Sequence, residues 1–127
     1  MVLQCIFMKK AIDVSSLPKG GPYSHANVAG DMIFVSGQTG QVAGKDTTFT
    51  QQFENSMEKI RTILEACGSS LDKVTRISVY MSRKEDFKTM NDLFAKYFPG
   101  NPPARTTLVV GFVADGISVE IDVIATK

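Results

Sequence analysis

With 127 residues, 43% of them hydrophobic, the chain is long enough to bury roughly two thirds of its unfolded surface within one domain. Fourteen basic against thirteen acidic residues leave a net charge of +1 without a run of like charges. That balance lacks the electrostatic footprint of a nucleic-acid or anionic-membrane binder. Cys5 and Cys67 form neither a Cys-x-x-Cys nor a Cys/His ligand spacing, so a reducing, cytoplasmic setting and chemistry without metal are expected.

The apolar stretch from Val2 to Met8 is too short for a membrane helix. Its Lys9-Lys10 follow rather than precede the apolar run, and no small-residue cleavage site comes after. Residues 1–8 are read as an extension ahead of a single domain spanning 9–127, with Met8 a second candidate start. Tyr23 follows Gly20-Gly21-Pro22, so a phenol is presented from a stiff turn. Asp31 to Gln38 is an apolar strand ended by Ser36-Gly37, a place where backbone must approach something closely. Thr48 and Gln51 make a capping box. Behind it Phe49, Phe53, Met57, Ile60, Leu64 and Cys67 recur at helical spacing until Gly68. Val74 to Met81 alternates as a strand. A second helix is predicted from about Glu85 to Phe98, with Phe87, Met90, Phe94 and Phe98 on its apolar face and Pro99-Gly100 as its stop.

Two further strands close the chain, one opening at Arg105 and one alternating from Ile117 to Ile124. A turn at Ala114-Asp115-Gly116 predicts that they form an antiparallel hairpin, so that Arg105 faces Glu120 across it. A guanidinium and a carboxylate in such positions suit a small anionic substrate better than a purely structural sheet. The competing reading is an ion pair between copies of the chain. The predicted class is α+β, a mixed sheet with two helices on one face and an uncovered face apolar enough to meet other copies.

Four motifs in order, Gly-Pro-Tyr-Ser at 21–24, Val-Ser-Gly-Gln at 35–38, Pro-Ala-Arg-Thr-Thr at 103–107 and Val-Glu-Ile at 119–121, resemble the Rid family, the RidA-like (YjgF-like) enamine/imine deaminases. The resemblance covers nearly the whole chain from about Lys9. It implies a chorismate-mutase-like fold and a homotrimeric barrel with clefts between subunits. It also implies hydrolysis of reactive 2-imino acids to 2-keto acids and ammonia without a cofactor.

Carried over by position, Arg105 would grip the substrate carboxylate through a two-pronged pair, and Glu120 would position or activate the attacking water. Tyr23, Ser36 and Gly37 would line the cleft, with Asn91 near it. Asn91 is as readily explained as the tie to a neighbouring loop, and Tyr23 as interface packing. Two departures stand out. Thr107 occupies a position that is Cys in many members, which excludes a thiol mechanism there and puts substrate preference in question. His25 stands where Gln is usual, and with no partner for a metal site or nucleophilic dyad it reads as a structural or rim residue. Two other functions compete: a 2-keto-acid-binding regulator without turnover, and an RNA-cleaving or translation-inhibiting protein. A second negative charge at Glu120 opposes the first, and the neutral charge balance opposes the second.

Overall fold

A computed structural model describes residues 8–127, so Cys5 and all of the apolar extension except Met8 lie outside the described residues. In chain order the elements are β1 (Lys10–Ile12), β2 (Ala26–Ala29), β3 (Met32–Thr39), α1 (Phe49–Ala66), β4 (Val74–Met81), α2 (Phe87–Tyr97), β5 (Ala104–Val109) and β6 (Val119–Thr126). They build a six-stranded sheet in the order β1-β2-β3-β6-β4-β5. Only the β4–β5 pair is parallel. This is the expected α+β architecture.

Local chemistry accounts for the element ends. Gly30, at φ 60°, opens the two-residue connection between β2 and β3, as the hairpin's twist requires. The Thr48 hydroxyl accepts from the Gln51 backbone N–H at 3.1 Å, and the Gln51 side-chain Oε1 accepts from the Thr48 N–H at 2.9 Å. At the other end of α1, Gly68 takes φ 77° while Ser69 N–H reaches Leu64 O and Gly68 N–H reaches Glu65 O. That is the paired bonding of a Schellman stop. The second helix begins two residues later than predicted, because Lys84–Asp86 winds as a 3₁₀ turn ahead of it.

Phe53, Met57, Ile60 and Leu64 of α1 and Met90 and Phe94 of α2 share one core with Ile33, Val35, Ile77, Val79, Val119, Ile121 and Val123 of the sheet. Alternation then fixes the other face, which carries Phe34, Ser78, Tyr80, Leu108, Glu120, Asp122 and Ile124. Phe34 and Leu108 are 44% and 50% exposed, so this uncovered face is part apolar.

The expected hairpin between the last two strands does not form. Helix α2 returns the chain so that β5 lies parallel to β4, with Arg105 level with Ile77. The connection from Val110 to Ser118 then carries the chain past β4, and β6 enters between β4 and β3. A strand, helix, strand crossover of this kind outcompetes the tight turn, because α2 buries its apolar face only by packing back on the sheet.

Side chains from one flank of α1 hold the end of β3. Asn55 Nδ2 donates to Gly40 O at 2.9 Å and Lys59 Nζ to Thr39 O at 2.8 Å. The approach is so close that a Cβ on Gly40 would lie 1.9 Å from the Gln52 carbonyl oxygen. Gly40→Ala is therefore expected to destabilise the protein by about 3 kcal/mol, read as a lowered urea midpoint, because neither backbone can yield cheaply.

Candidate active site

Glu120 sits on the open face of β6, level with Thr39 on one side and Tyr80 on the other. The β3–β6 ladder shifts register between Val35 and Gln38, and this bulge brings Gly37 under the Glu120 side chain. A Cβ on Gly37 would stand 2.5 Å from Glu120 Oε2, so only glycine leaves the carboxylate its seat. Gly20, Tyr23, Ser36, Gly37, Val113 and Glu120 line an open cavity of about 400 Å³. Burial, and next to it the charge of Asp122, push the Glu120 carboxyl above its ordinary range.

The loop that walls this cavity is tied from below. The Ser36 hydroxyl donates to Ser24 O at 2.6 Å, so it is committed to the Tyr23 loop. Tyr23 Oη accepts from Gly20 N–H at 3.0 Å, closing the turn that presents the ring. His25 is buried, which fits the structural and not the rim side of its reading. Its Nδ1 accepts from Val14 N–H at 2.9 Å, which leaves the proton on Nε2 to be donated to Pro18 O at 3.2 Å. A glutamine could offer the same pair, one acceptor and one donor.

Arg105 lies on the other face of the sheet. Its guanidinium stands over the Phe94 ring at 4.7 Å and the Phe87 ring at 5.9 Å, and Nη1 donates to Met90 Sδ at 3.6 Å. Burial moves its pKa downward. No carboxylate among the described residues lies within 4 Å of it. Thr107, two residues on, shares that face, and its hydroxyl oxygen is buried without a hydrogen-bond partner. Half-buried Asn91 lies one helical turn beyond Phe87 on α2.

The residues singled out from sequence thus fall into two groups on opposite faces. Tyr23, Ser36, Gly37 and Glu120 form one; Arg105, Thr107 and Asn91, with Phe87, form the other. Within one chain Arg105 and Glu120 do not face each other, contrary to the hairpin expectation. The reason is the inserted β4: Arg105 is level with Ile77, whose side chain is in the core, and Glu120 with Tyr80, whose side chain is not.

Sequence reasoning missed Gln52. Its Nε2 donates to Gly116 O, and its Oε1 accepts from Ser118 N–H, both at 2.9 Å, fixing the loop that delivers Glu120. Lys59 was missed as well. The available signal was a polar stripe, Gln52, Asn55 and Lys59, beside the apolar face of α1. Among the described residues no three His, Cys, Asp or Glu gather as a metal site, and no helix is long and apolar enough to cross a membrane.

A family model described as Endoribonuclease L-PSP matches residues 14–127. The chain belongs to this family. A RutC family protein of Saccharolobus solfataricus is 39% identical to it over 127 residues, which is 94% of this chain and 99% of that protein. Among other Endoribonuclease L-PSP relatives, the chloroplastic Reactive Intermediate Deaminase A of Arabidopsis thaliana is 33% identical over 123 residues, 93% of this chain and 66% of the relative. The solved structure of RidA from the Antarctic bacterium Psychrobacter sp. superposes with a TM-score of 0.84 at 30% identity, covering 93% of this chain and 99% of that one. The Rid resemblance drawn from the four motifs is borne out by these matches. The family description names a nuclease, the Arabidopsis relative's name a deaminase, and the RutC name no activity.

Proposed function

We propose that this protein hydrolyses small 2-imino acids, 2-iminobutanoate and 2-iminopropanoate, to 2-keto acids and ammonia, at sites completed where two copies of a homotrimer meet. One observation carries the reading: an unpaired, half-buried guanidinium and a half-buried carboxylate beside a cavity lie on opposite faces of one chain. The part-apolar open face supplies a reason for copies to associate.

In such a site Arg105 of one copy binds the substrate carboxylate as a fork, which fixes C2 of the imine over the other copy's Glu120. Glu120 accepts a proton from water as the oxygen attacks C2 and passes it to the imine nitrogen, whose π bond to C2 breaks. The tetrahedral carbinolamine then expels ammonia and leaves the ketone. The guanidinium's arrival also opposes the desolvation of Glu120, which keeps the base ionised at neutral pH.

A keto-acid binder without turnover gains nothing from Glu120, whose charge repels the ligand. For an RNA-cleaving role, the net charge of +1 gives the phosphate backbone little to hold. The direct test is 2-ketobutyrate release from 2-iminobutanoate made in situ by threonine dehydratase, with semicarbazide trapping free imine. Acceleration over spontaneous hydrolysis supports the deaminase; a rate equal to the protein-free control overturns it.

The pH dependence follows from the carboxylate. Glu120 acts while ionised, so kcat/KM is expected to fall as pH drops through its pKa, which burial and Asp122 raise and the neighbouring copy's Arg105 lowers. Removing the neighbouring charge with Asp122→Asn lowers that pKa, so the acid limb of the profile is expected to move to lower pH.

A further inference from the structure

Lys59 projects from α1 to the end of β3, where its Nζ donates to Thr39 O at 2.8 Å. Thr39 is the ladder partner of Glu120, so this ammonium stands about one strand spacing from the backbone that carries the candidate base. A carbonyl uses one of its three N–H donors. Among the described residues no carboxylate lies within 4 Å of it. Lys59 lines a cavity of about 410 Å³ together with Tyr23, Gly37, Glu120 and Lys19. Lys19 is engaged by Asp13 at 3.1 Å, which leaves Lys59 as the cation of this cavity without a counter-ion. Its environment is half desolvated, and burial draws its pKa down, the response of an ammonium lacking a compensating anion.

We infer that Lys59 recognises a second carboxylate on the substrate, so that the preferred ligands are 2-imino and 2-keto dicarboxylic acids of the succinate and glutarate class. This rests on the deaminase reading for the chemistry at C2, but not for the binding. Arg105 of a neighbouring copy takes the carboxylate at C1, Glu120 serves C2, and Lys59 meets the distal carboxylate. A lysine that merely ties β3 to α1 would need only a neutral donor. Charge is what the second carboxylate uses, and charge is therefore what the test removes.

Calorimetric binding of 2-ketoglutarate and 2-ketobutyrate to the wild-type protein and to Lys59→Gln separates the two roles, with thermal unfolding as the control for folding. The wild type is expected to bind the dicarboxylate about tenfold more tightly, and Lys59→Gln to abolish most of that ratio. On the unaltered protein the same ratio should shrink as salt is raised. Equal affinities in the wild type, or equal weakening of both ligands in the variant, overturn the second-carboxylate site. The two imines, made in situ by flavin amino-acid oxidases, are then compared in turnover. A keto-acid preference that persists without turnover of either imine upholds Lys59's role and overturns the deaminase reading; turnover of 2-iminobutanoate with no dicarboxylate preference does the reverse.

Discussion

Arg105→Ala is expected to lower kcat/KM for 2-iminobutanoate about a thousandfold, corresponding to roughly 4 kcal/mol of lost transition-state binding. The residue is the unpaired cation in its half of the candidate site, and both of its faces are specialised. Its flat side rests on Phe94, while Met90 Sδ occupies Nη1, so the remaining N–H groups are left for a ligand carboxylate. Little fold stability depends on it, since the stacking is worth about 1 kcal/mol. The variant should therefore keep its assembly state in light scattering while turnover disappears. Arg105→Lys keeps the charge but not the fork, and should recover only a small part of the rate. Loss of assembly in Arg105→Ala would instead make this arginine an interface residue.

Glu120→Gln is expected to reduce kcat by about a hundredfold to ten-thousandfold, the range for removal of a general base. The amide fits the seat above Gly37 without new bulk. Binding of 2-ketobutyrate should persist or tighten, because a negative charge beside the anion is gone. The two variants together give a sharper result than either alone. If each site takes Arg105 from one copy and Glu120 from another, dissociating and reassociating an equal mixture of the two inactive proteins restores about a quarter of wild-type activity. A site built within one chain predicts none.

How far the sequence carried this picture depended on how local each feature is. The strands at Met32–Thr39 and Val119–Thr126 and the helix at Phe49–Ala66 were legible because period and capping are written within a few neighbouring residues. The close approach at Ser36-Gly37 was legible too, though not that Glu120 makes it. Strand pairing was not. Two β-rich runs adjacent in sequence read as a hairpin, whereas their actual neighbours are set by where α2 can bury its apolar face. That single error moved Arg105 to the wrong side of the sheet relative to Glu120. Gln52 and Lys59 escaped notice for a different reason: long polar side chains on a helix flank look solvated until their partners, Ser118 and Thr39, are brought alongside.

The strand order has a consequence for how the molecule comes into being. β6 is last in the chain yet lies between β3 and β4, joining Met32 to Thr126 on one side and Met81 to Val119 on the other. Until it emerges from the ribosome, the hairpin of β2 and β3 and the crossover of β4, α2 and β5 have no shared strand to pair with. Closure thus waits on contacts of long sequence separation, which are slow to form. Trimming an edge strand would fray such a sheet, but a chain cut short before Val119 would leave it in two pieces. The same segment carries Glu120, so a truncated product is left without both its central strand and the carboxylate that strand presents.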